Sequence, residues 1–162
     1  MIRRQNPGLE QALQKARHYC AYQERCHSEV KEKLYSLGLR KTEVEEGISR
    51  LIEENYLNEE RFAIQFAGGR FRMKQWGRVK IRYALKQKQV GEYCIGKALA
   101  VIDEETYKKT LEKLAEDKWE TLRDEQNTFA RRRKLQDYLL QRGYEPGLTA
   151  EIIDSFKSPQ EP

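Results

Sequence analysis

Between Arg61 and Gly91 the chain carries Arg61, Arg70, Arg72, Lys74, Arg78, Lys80, Arg82, Lys86 and Lys88, and not one Asp or Glu. The chemistry open to such a run is electrostatic: it can hold an anion, most often a nucleic-acid backbone or an acidic protein face. Nine cations exceed the formal charge of the whole chain, +5, so all other residues together sum to −4. The positive charge is therefore concentrated. Arg78, Arg82 and Lys86 fall at i, i+4 and i+8, giving a helix one cationic edge, and Arg70 and Lys74 repeat that spacing just before it. With no acid in the run, the usual helical Glu–Lys pairs cannot form within it. A second run, Arg131-Arg132-Arg133-Lys134, spans a helical turn and so cannot be buried on every side.

Aromatic residues interleave with these cations. Phe62 and Phe66, four apart, read as core. Trp76, beside Gly77 in an expected loop, reads either as an exposed stacking surface or as a wedge between helices. Arg61 has two readings as well, as a contact to an anionic partner or as the structural partner of a helix-end acid next to Phe62.

Other chemistries find little support. The chain has no glycine-rich phosphate loop, no His-Glu-x-x-His and no nucleophile elbow, so neither catalysis nor a cofactor is expected. His18, Cys20, Cys26 and His27 are zinc-ligand types, but His18 and Cys20 in one helix point about 200° apart, which opposes a shared metal. Glu43, Glu45, Glu46, Glu53, Glu54, Glu59 and Glu60 read as solvated helix surface with helix-start electrostatics. No apolar run approaches the roughly 18 residues of a membrane span. The opening Met-Ile-Arg-Arg-Gln-Asn-Pro lacks the apolar centre of a secretory signal, and the cysteines are odd in number at no recognisable spacing. A cytoplasmic protein without membrane association is the expectation.

The elements that must carry these residues are helical. Asn6-Pro7 reads as the start of a helix through Leu9, Leu13, Ala16 and Cys20 to about Gln23. Ser28 is placed to cap a second, with Val30, Leu34 and Leu37 on one face and Gly38 ending it in the left-handed region. Thr42 and Glu45 make a capping box before Val44, Ile48, Leu51 and Ile52. The pattern then restarts: Asn58 caps a helix with Phe62, Phe66 and Ala67, Gly77 interrupts it, Val79, Ile81 and Leu85 follow, and Gly91 precedes Ile95, Leu99 and Ile102. Leu34, Leu39, Val44, Ile48 and Leu51 match Leu85, Val90, Ile95, Leu99 and Ile102 at an offset of 51. A further offset of 54 reaches Leu139, Tyr144, Thr149, Ile153 and Phe156, and carries Arg78 onto Arg132. A long helix through Leu111, Leu114 and Ala115 opens this last copy, which aligns only with a gap. The fold expected is all-α: three tandem three-helix repeats, helix-turn-helix-like, elongated and curved, over residues 1–56, 57–103 and 104–162. The polar balance, 38% hydrophobic against 35% charged, suits small local cores with much exposed surface.

Asn58-Glu59-Glu60-Arg61-Phe62-Ala63, with Arg70, Lys74, Gly77-Arg78, Ile81, Leu85 and Lys88-Gln89-Val90, resembles the central signature of the RecX family of recombinase regulators. The resemblance covers nearly the whole chain and departs at two points: Gln89 stands where a glycine is usual, and Asn58-Glu59 replaces a more aspartate-rich start. It implies a monomeric, non-catalytic protein that binds the RecA nucleoprotein filament along its groove and inhibits its ATPase and strand exchange in DNA repair and recombination. The cations that would meet RecA or single- or double-stranded DNA are Arg61, Arg70, Arg72, Lys74, Arg78, Lys80, Arg82, Lys86, Lys88, Arg131, Arg132, Arg133 and Lys134. The alternative is an autonomous helix-turn-helix-like DNA-binding protein such as a transcription factor.

Overall fold

The structure, a computed structural model, describes residues 7–156, and within them it holds nine α-helices and no strand. The first three are α1 (Pro7–Tyr22), α2 (His27–Ser36) and α3 (Lys41–Glu53). Next come α4 (Glu59–Lys74), α5 (Arg78–Gln87) and α6 (Glu92–Val101), and then α7 (Glu104–Thr121), α8 (Thr128–Gln141) and α9 (Pro146–Asp154). The expected Asn6 cap lies outside the described residues. α1, α2 and α3 pack against one another, as do α7, α8 and α9.

The repeat is written in the backbone as well as in the apolar pattern. Gly38, Gln89 and Gly143, spaced by the same offsets of 51 and 54, all have positive φ (88°, 64° and 96°). At each, the following amide donates back to the helix it has just left: Leu39 N to Leu34 O, Val90 N to Leu85 O and Tyr144 N to Leu139 O, at 3.4, 3.1 and 3.2 Å. This left-handed ending satisfies carbonyls that the last helical turn would otherwise leave without donors, and it swings the next residue into the core. Leu39, Val90 and Tyr144 are accordingly buried.

The chain divides into two compact units, and their border cuts through α4, α5 and α6. One unit holds the residues up to Phe66 with Leu85–Ala98; the other holds Ala67–Ala84 with everything from Leu99 onward. In the first unit the core gathers Leu9, Leu13 and Ala16 of α1, Val30 and Leu34 of α2, and Val44, Ile48 and Leu51 of α3. Burying each of its larger aliphatic side chains contributes about 2 kcal/mol. Gly47 lets α3 approach closely, since a Cβ there would meet Leu34 Cδ1 at 3.2 Å.

Several local expectations are corrected. Cys26, not Ser28, is the N-cap residue of α2, and its amide donates to Glu29 Oε1 at 3.1 Å. The α3 cap lies at Arg40, whose amide donates to Glu43 Oε1 at 3.1 Å, rather than at Thr42 and Glu45. Asn58 does cap α4, accepting from Arg61 N at 2.9 Å. Gln75, with φ 57°, ends α4, while Gly77 has a different task described below. Val79 and Ile52 are exposed rather than core residues.

Gln89 holds a left-handed conformation that glycine adopts without penalty. Its side chain is exposed, so no packing offsets the cost of about 1 kcal/mol or more. Gln89→Gly, after the greater freedom of glycine in the unfolded chain, should raise stability by about 0.5 kcal/mol and the melting temperature by roughly 1–2 °C. A melt at or below that of the unmodified chain would show that the turn carries no such strain.

Candidate functional site

Lys88 lies in the α5–α6 turn and the other cations lie on α4, α5 and α8, and the same docking scheme between turns appears in both units. In the first, the α1–α2 turn meets the α5–α6 turn. Ser28 Oγ donates to Lys88 O at 2.7 Å, and the Lys88 ammonium lies 3.8 Å from Glu29. His27 Nδ1 stands 2.9 Å from Glu59 Oε2 at the start of α4. Arg61 pairs with Glu24 and donates to Asn55 O at 3.1 Å and to Tyr56 O at 3.4 Å. Its guanidinium thus binds the end of α3 to the α1–α2 turn, which is the structural one of its two readings.

In the second unit the α4–α5 turn meets the α8–α9 turn, 51 and 54 residues further along the repeat. Gly77 N donates to Arg142 O at 2.8 Å and Val79 N to Gly143 O at 2.9 Å. Val79 stands 51 residues after Ser28, the corresponding donor of the first unit. Here the contact is backbone on backbone, and a Cβ on Gly77 would lie 2.3 Å from Gly143 C and O. Tyr144 Oη donates to Gln75 O at 2.9 Å, and Arg142 donates to Lys74 O.

Arg78 is the charged centre of this junction. Its amide donates to Tyr107 Oη at 3.0 Å, and its guanidinium lies 3.8 Å from the Tyr107 ring centroid. One arm reaches Glu145 Oε2 at 2.7 Å and another pairs with Glu104. Tyr107 in turn donates to Glu145 Oε1 and lies within an aromatic stack, 5.7 Å from Phe71 and 5.2 Å from Tyr144. Burial opposes the charge on Arg78, but the hydrogen bond and field of Glu145 outweigh it and hold the guanidinium's pKa above its ordinary value. Burial, then the bond to Glu145, drives the Tyr107 phenol far above its ordinary range, and burial pushes Tyr144 up to about 12. Both stay protonated hydrogen-bond donors at any physiological pH.

The remaining cations divide by position. Arg131 donates to Trp119 O at 2.6 Å and stacks on the Trp119 ring at 3.8 Å. Arg132 donates twice to Phe156 O, at 3.1 and 2.9 Å. Lys134 pairs with Glu125 at 2.7 Å and Lys86 with Glu92 at 2.9 Å, both at the surface. Arg72, Lys74 and Arg133 are exposed, whereas Arg70, Lys80 and Arg82 are half-buried. Around Trp76 three of them converge: Lys80 Nζ lies 4.7 Å from the ring centroid, the Arg70 guanidinium 5.5 Å and Lys74 Nζ 5.6 Å. Trp76 is half-buried beneath cations from α4 and α5.

The acidic side chains are less passive than their spacing suggested. Glu59 faces His27, Glu43 binds the Arg40 amide, and Glu54 accepts from Arg17 at 2.7 and 2.9 Å. Sequence reasoning also missed Tyr107, Glu145 and Arg142. Nothing local marks them, because their partners lie 29 to 68 residues away. The four metal-ligand candidates have separate surroundings: Cys20 and Cys26 are buried, with burial raising the Cys20 thiol to about 11, while His18 is exposed and His27 is held by Glu59. Among the described residues no helix is long and apolar enough to cross a membrane.

Residues 58–99 match the family model of the second three-helix domain of RecX, and residues 105–153 match that of the third. A regulatory protein RecX from Thermotoga petrophila is 31% identical over 98% of this chain and 92% of its own length. One from Prosthecochloris aestuarii is 30% identical over 90% of this chain and 93% of its own. A longer relative from Clostridium perfringens is 34% identical over 77% of this chain, but the match spans only 58% of that protein. The crystal structure of RecX from Lactobacillus salivarius shares the fold, with a TM-score of 0.84 at 22% identity over 91% of this chain and 96% of that one. Two matched three-helix domains and relatives aligned almost end to end show that the chain belongs to the RecX family of regulatory proteins.

Proposed function

We propose that the chain regulates RecA by binding its nucleoprotein filament and inhibiting its ATPase and strand exchange, without catalysis or a cofactor, as a cytoplasmic monomer in DNA repair and recombination. The observation that carries this reading is the convergence of Arg70, Lys74 and Lys80 on Trp76, in a segment that contains no acid, on a chain of this family. A group of cations gathered on one aromatic surface suits a partner whose groove combines phosphate with acidic protein. Arg72 and Arg133, exposed in the same compact unit, extend the contact set. Arg61, Arg78, Arg131 and Arg132 support it from within, through the internal partners they hold.

The test is the ssDNA-stimulated ATPase of the cognate RecA, titrated with the unmodified chain and with a variant carrying Arg72→Glu, Lys74→Glu, Lys80→Glu and Arg133→Glu. The unmodified chain should inhibit at near-stoichiometric amounts. The variant should need at least about ten-fold more, since losing several charge contacts costs well over 1 kcal/mol. Absence of inhibition by the unmodified chain at low salt would overturn the reading. Equal inhibition by both chains would move the contact away from these cations.

A further inference from the structure

Three glycines stand inside helices where no packing asks for them. Gly69 in α4 and Gly96 in α6 have nothing within 4 Å of the position a Cβ would take. Gly68 meets only the guanidinium of Arg72, one turn along its own helix, at the end of a long side chain that is free to swing aside. Gly47 in α3 is the contrast, because a Cβ there would press on Leu34 Cδ1 at 3.2 Å in the core. After proline, glycine is the poorest helix former, since its backbone has the most freedom to lose. The chain gives up helix stability at three positions and gains no contact in return.

The border between the two compact units crosses α4 after Phe66 and α6 after Ala98. Gly68 and Gly69 follow the first crossing by two and three residues, and Gly96 precedes the end of its segment by two. At the matching positions of the first repeat, 51 residues earlier, stand Arg17, His18 and Glu45. In the third repeat Ala150 stands 54 residues after Gly96, and α7 contains no glycine at all. Glycine at these positions is thus confined to the repeat that the two units divide between them.

We infer that the middle repeat is a hinge: α4 bends at Gly68-Gly69 and α6 at Gly96, so that the two units change orientation within one folded chain, and the bent form is the one that engages the partner. A glycine pair favours helix kinking, because the missing side chains leave the backbone carbonyls open to water and the dihedral angles free to shift. α5 crosses the border between Ala84 and Leu85 with no glycine in its length and remains the straight member. Hinges of this kind need only a few positions that absorb the change in backbone angle. Helix stability given up without a packing return is what a second populated conformation requires. The hinge is independent of the filament reading, and only its use in inhibition rests on that reading.

Nitroxide labels placed on Glu32→Cys in one unit and Glu116→Cys in the other, both exposed positions, read the hinge directly in a Cys94→Ser background; Cys20 and Cys26 are buried and shielded from the label. Pulsed dipolar spectroscopy on the free full-length chain should give a broad distribution of distances. Gly69→Ala with Gly96→Ala should narrow that distribution by about two-fold and raise the melting temperature by about 4 °C. Gly147→Ala in α9, equally open but inside one unit, should leave the width unchanged. Without labels, the Gly69→Ala, Gly96→Ala chain should need about five-fold more protein to inhibit the RecA ATPase although it is the more stable chain, because stiffened helices disfavour the bent form. Gly147→Ala should inhibit as the unmodified chain does. An unchanged width overturns the hinge, and a narrowed width with unchanged or stronger inhibition overturns its use. If the unmodified chain fails to inhibit, the filament reading falls while the distances still decide the hinge.

Discussion

Gly77→Ala is expected to destabilise the chain by about 3 kcal/mol and to lower its melting temperature by on the order of 10 °C. The new Cβ would lie 2.3 Å from the carbonyl of Gly143 and 2.5 Å from Tyr144 N, and both are backbone atoms that cannot rotate away. Relief requires the α4–α5 turn to retreat from the α8–α9 turn, which breaks the bonds from Gly77 N to Arg142 O and from Val79 N to Gly143 O. Two hydrogen bonds at about 1 kcal/mol each, plus overpacking of similar size, make up the estimate. Gly69→Ala is the control. It sits inside α4 with nothing within 4 Å of its Cβ, so alanine there should stabilise by about 0.5–1 kcal/mol through helix propensity alone. Equal melts for the two variants would refute the close approach at Gly77.

The contrast between these two glycines bears on what the sequence could disclose. The repeat was legible because it is local. Five apolar positions recur at an offset of 51 and four of them again at 54, and the left-handed residues at 38, 89 and 143 obey the same spacing because each must turn the chain from the second helix of a repeat into the third. Gly77 was legible only as an interruption. Helix α4 already ends at Gln75, and the reason for glycine two residues on is a backbone 66 positions away. Ser28 looked like a cap because serine usually is one, but its hydroxyl is committed to Lys88 O and the capping position falls to Cys26. The acid-free run misled in the same way. It excludes ion pairs within itself, yet Arg61, Arg78, Lys86 and Lys88 find Glu24, Glu104, Glu145, Glu92 and Glu29, all from outside it. Charge counted along the chain measures the field of a segment, whereas the partners of each cation are fixed by tertiary structure. The convergence on Trp76 lay between those limits, since the spacing placed Arg70 and Lys74 on one face but could not bring Lys80 to the same ring.

Arg78 separates a structural cation from a contact cation most sharply. Arg78→Ala removes the stack on Tyr107 and leaves Glu145 and Glu104 without their guanidinium. Breaking a fully buried pair in this way costs about 3–5 kcal/mol, and the 21% exposure of the Arg78 side chain scales the expectation down to about 2 kcal/mol. Arg78→Lys retains the charge but has no planar fork to span two carboxylates while lying flat on a ring, so it should recover less than half of that loss. Tyr107→Phe keeps the aromatic stack and removes the hydroxyl shared by the Arg78 amide and Glu145, for a cost of about 1–2 kcal/mol. The three variants should therefore rank by melting temperature with Arg78→Ala lowest. Their inhibition of RecA should fall only as far as their folded fraction does at the assay temperature. A variant of Arg78 that melts with the unmodified chain yet fails to inhibit would place the residue at the partner interface instead, because a guanidinium engaged with Glu145, Glu104 and Tyr107 cannot be removed without cost to the fold that it joins.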